Sequence, residues 1–102
     1  MLEVVWTRRA EDHVQRIFAR LDEYSPRIAE SWLEEIGKRA ELLARFPKIA
    51  TIWRGLYRCS KLRRGLGLFY VIEGRRLIVS GIFPLNMDPA TILGRLEDAD
   101  WM

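Results

Sequence analysis

The side chains best suited to chemistry in this chain are cations. Arg58, Lys61, Arg63 and Arg64 fall in one short stretch. A guanidinium presents a planar fork of donors that grips phosphate or carboxylate through parallel hydrogen bonds. Such a group of cations could stabilise charge developing on a phosphodiester during cleavage. Cleavage also needs a group to take and return a proton. Tyr57 and Tyr70 stand nearest, and both read as sheet residues whose rings pack inside. The single histidine, His13, sits beside core Val14 on the flank of a helix. Glu34 and Glu35 stand one turn before Lys38 and Arg39, a spacing of surface ion pairs rather than of acid–base work. A ribonuclease mechanism thus has its cations and no evident proton carrier.

Other chemistries are excluded more simply. One cysteine, Cys59, and one histidine can form neither an intrachain disulfide nor a structural zinc site, so no metal or cofactor is expected. Cys59 reads as a small buried hydrophobe. Gly65 and Gly67 have neither the spacing nor the following helix of a phosphate-cradling loop. Of the four tryptophans, Trp6 and Trp32 fit the core pattern. Trp53, beside Arg54, and Trp101, near the C-terminus, read as exposed contact residues.

The net charge of +3 is unevenly placed. Residues 1–44 carry seven basic and nine acidic side chains, a balance of −2. Residues 45–76 carry nine basic side chains against Glu73 alone, a balance of +8, and residues 88–102 carry −3. A cationic third of this kind reads as a surface for an anionic partner, whether nucleic acid or acidic protein. With 102 residues, 49% hydrophobic and 30% charged, the chain supports one core and one domain spanning residues 1–102. The opening Met1-Leu2-Glu3-Val4-Val5-Trp6 is too short and too soon charged for a secretory signal. No apolar run approaches the ~20 residues that span a bilayer, so a cytoplasmic chain with no membrane partner is expected.

The elements that position these residues follow from periodicity. Leu2 to Trp6 reads as a strand. Thr7 caps a helix with Ala10, Val14, Ile17, Phe18 and Leu21 on one face. Ser25-Pro26 pairs a hydroxyl cap with proline at the first helical position, restarting a second helix after about three joining residues. Its stripe runs Ile28, Ala29, Trp32, Leu33, Ile36, Ala40, Leu43, Phe46, and Pro47 ends it. Strands are expected over Leu56–Leu62, Leu68–Ile72 and Leu77–Phe83, with Gly65 and Gly67 loosening the chain between the first two. Glu73-Gly74 makes a tight hairpin turn. Asp88-Pro89 opens a short helix to about Leu96, and residues 97–102 form an acidic, flexible or partner-dependent tail. The expected fold is α+β in the order β-α-α-β-β-β-α. A two-helix hairpin covers one face of a small, mostly antiparallel sheet, leaving the other face free for function.

This arrangement resembles the ParE/RelE toxin superfamily of bacterial type II toxin–antitoxin modules. The resemblance is carried by the first strand and capped helix, the Ser-Pro restart, the Pro47 stop, and the segment from Leu66 to Phe83. Met87-Asp88-Pro89-Ala90, leading to Leu93-Gly94-Arg95-Leu96, is similar to the opening of the final helix in ParE-like members. Such a resemblance implies a toxin neutralised by a cognate antitoxin that wraps it. ParE-like members act on DNA gyrase by protein contact, whereas RelE-like members cut mRNA on the ribosome. The family's strand usually offers an arginine where this chain has Gly67, and the nuclease branch relies on such a set. It usually has another after the last strand, where Leu85-Asn86-Met87 stands, and a tyrosine or histidine in the closing helix, absent from Ala90 to Leu93. The ParE-like reading, without catalysis, is favoured. A RelE-like mRNA interferase using Arg58, Lys61, Arg63 and Arg64 without a metal is the alternative, and a detoxified antitoxin-binding member is a third. Target or antitoxin contacts are expected from Trp53, Arg54, Arg58, Lys61, Arg63, Arg64, Arg95 and Trp101.

Overall fold

The computed structural model describes residues 1–98. Strand β1 (Glu3–Trp6) leads into helix α1 (Arg8–Tyr24), whose N-terminus is closed by Thr7: its hydroxyl accepts from the Ala10 N–H at 3.1 Å. Ser25 serves two helices at once. Its N–H donates to the Leu21 carbonyl, ending α1, and its hydroxyl accepts from Ile28 N–H at 3.3 Å, starting α2 (Pro26–Arg45). The joint is therefore one residue rather than three, and α1 and α2 pack as an antiparallel hairpin.

The second half is the sheet. Strands β2 (Thr51–Arg54), β3 (Tyr57–Lys61), β4 (Leu66–Glu73) and β5 (Arg76–Pro84) precede helix α3 (Pro89–Glu97). A single 3-10 turn at Arg63–Gly65 joins β3 to β4. The strand order is β1-β5-β4-β3-β2, with β1 parallel to β5 and every other pairing antiparallel. The α+β fold is the expected one with one strand more. Thr51, Ile52 and Trp53 have strong strand propensity, but four residues bounded by Gly55 are too few for an alternating pattern to stand out. Strand β4 also starts earlier than expected. Gly67 lies inside it, paired with Lys61 on one side and Phe83 on the other.

Side-chain alternation divides the core in two. Leu68, Tyr70, Leu77, Val79 and Ile82 point toward the hairpin and bury against Ala10, Trp32, Ile36 and Leu43. Phe69 and Phe83 point the other way, where Ile92 and Leu96 of α3 cover them, with Trp53, Tyr57, Cys59 and Met87 packed around. The face expected to be open is thus occupied by α3. That helix is short, but its two buried residues lie four apart on one side and need a partner.

His13 has a structural task. Strand β1 ends at Trp6 opposite Val79, so the next groups along that edge of β5 need other partners. Thr7 N–H donates to the Val79 carbonyl at 3.1 Å and its hydroxyl donates to Ser80 O at 3.3 Å. His13 Nδ1 then accepts from Ile82 N–H at 3.1 Å. Ser80 is the extra residue of a bulge here, since Phe69 pairs with Gly81 and Tyr70 with Val79.

Candidate functional site

The cations grouped in sequence do not all share one face. Arg58 and Lys61 are three apart on one strand and therefore lie on opposite faces. Arg58 is half-buried on the hairpin side, where its Nη1 donates to the Ala50 carbonyl at 2.8 Å. Tyr70, its cross-strand neighbour, donates through its hydroxyl to the Pro47 carbonyl at 2.7 Å. Together these side chains fasten the turn after α2 to the sheet. Lys61 is exposed on the α3 side, opposite Gly67.

Arg63 and Arg64 are exposed on the 3-10 turn, where Arg64 adopts φ +65°. The Arg63 N–H donates to Glu35 Oε2 at 3.2 Å, and Arg39 of α2 donates to the Ser60 hydroxyl at 2.9 Å and to the Lys61 carbonyl. Arg54 lies exposed with its guanidinium 5.3 Å from the Trp53 ring centroid. Trp53 is half-buried, edge-on to Phe69 with centroids 4.9 Å apart, rather than an exposed contact residue. Arg95 is exposed on α3. Trp101 and the tail beyond Asp98 lie outside the described residues.

The proton carriers are also committed elsewhere. Burial raises the Tyr70 phenol above its ordinary range, against the opposing pull of Arg58. The Tyr57 hydroxyl donates to the Leu96 carbonyl at 3.2 Å, helping to hold α3. Burial pushes the Cys59 thiol up to about 11, with Lys61 acting in the other direction. Cys59 is half-buried rather than fully so. At neutral pH neither Tyr70 nor Cys59 is a base. Among the described residues no group of three His, Cys, Asp or Glu side chains is arranged to hold a metal, and no helix is long and apolar enough to cross a membrane.

Gly67 marks where the α3 side is closed. A Cβ there would stand 2.7 Å from Leu85 Cδ2 and 2.8 Å from Cys59 Sγ. The space a larger residue would need belongs to Leu85 and Cys59. Arg58 and Lys61 thus serve different faces of the sheet, and the exposed side chains around it form surfaces open to other molecules.

Two such surfaces stand out. A groove of about 420 Å³ runs between α1, α2 and β1, lined by Trp6, Val14, Leu33, Ile36 and Gly37. At the other end of the sheet, Leu42, Phe46, Ile49 and Ile52 are exposed around the end of α2 and the start of β2. Periodicity placed Leu33 and Phe46 on a core stripe, yet they are 44% and 52% exposed. The usable signal was the width of the apolar arc on α2. Leu42 and Phe46, four apart, lie beside the buried line of Trp32, Ile36 and Leu43, which one neighbouring layer cannot wholly cover.

A search of curated proteins gives no match. Among solved structures, a chain of the chromosomal ParDE toxin–antitoxin system from P. aeruginosa superposes with a TM-score of 0.73 at 18% identity. The match covers 84% of this chain and 98% of that one. At that identity the likeness establishes the shared fold. The family defined as the ParE toxin of the type II toxin–antitoxin system, parDE, matches residues 4–89, from β1 to the first residue of α3. The chain belongs to the ParE toxin family of type II toxin–antitoxin systems.

Proposed function

We propose that this chain acts in the cytoplasm as a toxin, held inactive by a cognate antitoxin and inhibiting DNA gyrase by protein contact, without cleaving RNA. The observation that carries the non-nuclease part is the closed α3 side. Leu85 and Cys59 fill the space beside Gly67, and Arg58 and Lys61 point away from each other. Stabilising a pentavalent phosphate needs several donors aimed at one point, together with a base within hydrogen-bond reach. Arg58 is instead turned to the hairpin side, and the hydroxyls of Tyr57 and Tyr70 are held by the Leu96 and Pro47 carbonyls, which supports a reading without catalysis. Inhibition by contact needs only surface, which the exposed apolar side chains supply.

The reading is tested by inducing the chain alone and together with the protein encoded by the neighbouring reading frame. The expected outcome is arrested growth with DNA breaks, loss of supercoiling by purified gyrase, and rescue by the co-expressed neighbour. Intact supercoiling with cleaved mRNA would instead assign the chain to the ribosome-dependent nucleases. Normal growth with soluble, folded protein would identify a detoxified, antitoxin-binding member.

A further inference from the structure

His13 is bonded to the sheet in a way that only its neutral form allows. Its Nδ1 accepts from the Ile82 N–H, so Nδ1 carries no proton and the ring holds its one proton on Nε2. An imidazolium has a proton on both nitrogens and accepts nothing. Protonating His13 therefore removes the acceptor and sets one N–H against another. The half-buried ring is closely seated. It stands edge-on to Phe83 with centroids 4.9 Å apart, and a Cβ on Gly81 would lie 3.3 Å from both its Nδ1 and its Cε1. Gly81 leaves the room in which the imidazole reaches the strand backbone.

The bond lies on a seam. Strand β1 ends opposite Val79, and beyond that point α1 takes over the same edge of β5 through Thr7 and His13. Between the two attachments the strand carries its bulge at Ser80. The Thr7 bonds do not titrate near neutral pH, whereas an imidazole does. The charged groups around the ring come from two helices. On α1, Arg9 stands one turn before His13, Arg16 follows about one turn after, and Asp12 is exposed beside it. Strand β5 brings no titratable side chain from Leu77 to Pro84. At the end of α3, Glu97 lines the cleft toward β2 and β3, and Asp98 gives its carbonyl to Arg9. A carboxylate at Asp98 favours a charged ring. The guanidiniums of Arg9 and Arg16 oppose it, and so does the loss of the Ile82 bond.

We propose that His13 is a pH-sensitive latch between α1 and β5. The neutral ring holds the Ile82 amide, and protonation in mild acid lets the N-terminal half of α1 come away from the strand. The open form takes up its proton near the ordinary ~6.5, the latched form only at lower pH. Stability from the latch is thus complete above that value and is lost as pH falls below it. The latch goes beyond the toxin reading and does not depend on it.

The test uses the full chain. Titration of the single histidine ring by NMR is expected to give a midpoint about one unit or more below the ordinary ~6.5. Amide exchange is then compared at pH 7.5 and 5.5, each rate taken relative to its intrinsic rate at that pH. Protection of Ile82 is expected to fall about tenfold between them, the factor by which protonating an opened histidine favours the open form. His13→Asn keeps an acceptor oxygen and does not titrate, so its Ile82 protection is expected to hold across the same interval. A wild-type midpoint at or above the ordinary ~6.5, or Ile82 protection that does not change, would overturn the latch. An equal loss of protection in His13→Asn would overturn it too, by placing the proton elsewhere. Should that variant not fold, the two wild-type measurements decide alone.

Discussion

Cys59 and Gly67 occupy neighbouring strands beneath Leu85, and each explains the other. A thiol next to a glycine on the facing strand is partly shielded from water, and this burial is what raises its pKa to about 11 from the ordinary 9.0. Lys61 nearby favours the thiolate, but burial is the larger effect. Two consequences follow at high pH. Alkylation by iodoacetamide is expected to quicken about tenfold per pH unit past pH 9 and to level off only near 11, because the thiolate is the reacting species. Stability changes over the same window. The unfolded chain ionises first, near 9, so the contribution of the neutral thiol is complete below that pH and is lost as pH rises toward 11. Urea titrations of the wild type and Cys59→Ala at pH 8 and 10.5 check the sign: the wild type loses more stability between them.

At the scale of elements, the helix boundaries were the most legible part of the sequence. A hydroxyl or carboxylate followed by proline caps a helix for reasons local to a few residues, so Ser25-Pro26 and Asp88-Pro89 could be read without knowing the rest. Asp88 accepts from both the N–H and the hydroxyl of Thr91, at 3.0 and 3.1 Å. Ser25 carries the greater burden because one residue ends α1 and begins α2. Ser25→Ala is expected to cost about 1 kcal/mol, the usual worth of an N-cap, measured as a lowered urea midpoint with an unchanged slope. Strand β2 was illegible for the opposite reason. Its four residues are defined by a short hairpin with β3, whose register shifts between Ile52 and Arg54, and by Trp53 meeting Phe69 of β4, neither of which leaves an alternating pattern in the sequence. The packing of α3 on the sheet was likewise hidden. Ile92 and Leu96 announce an apolar side, but not which surface it covers.

For the molecule as a whole, the uneven charge is real in sequence and only partly available in space. The +8 segment includes Arg58, which spends its donors on the Ala50 carbonyl inside the structure, and Lys61, which faces the other way. Spacing of three along a strand already separates the two, and that is where the candidate site could have been judged from sequence alone. Exposed members such as Lys48 and Arg54 remain for a partner. Reversing both, Lys48→Glu with Arg54→Glu, is expected to weaken antitoxin binding more at low salt than at high, since exposed charges are screened within a Debye length. Arg58→Glu is expected instead to lower the melting temperature, by leaving the Ala50 carbonyl without its donor and placing a carboxylate in a half-buried site. Salt-dependent calorimetry and thermal melting separate the two effects.

The place of β1 in the sheet carries a kinetic consequence. Glu3 pairs with Arg76 and Trp6 with Val79, so the first strand of the chain finds its partner almost at the end of it. The hairpin of α1 and α2 and the β2-to-β5 meander can form from near neighbours, but parallel pairing of β1 must wait until β5 exists and a long loop has closed. During synthesis the N-terminal strand therefore leaves the ribosome long before it can be housed. Docking of β1 must follow the formation of β5, and the sheet margin beside β5 stays open to competing strands until it happens.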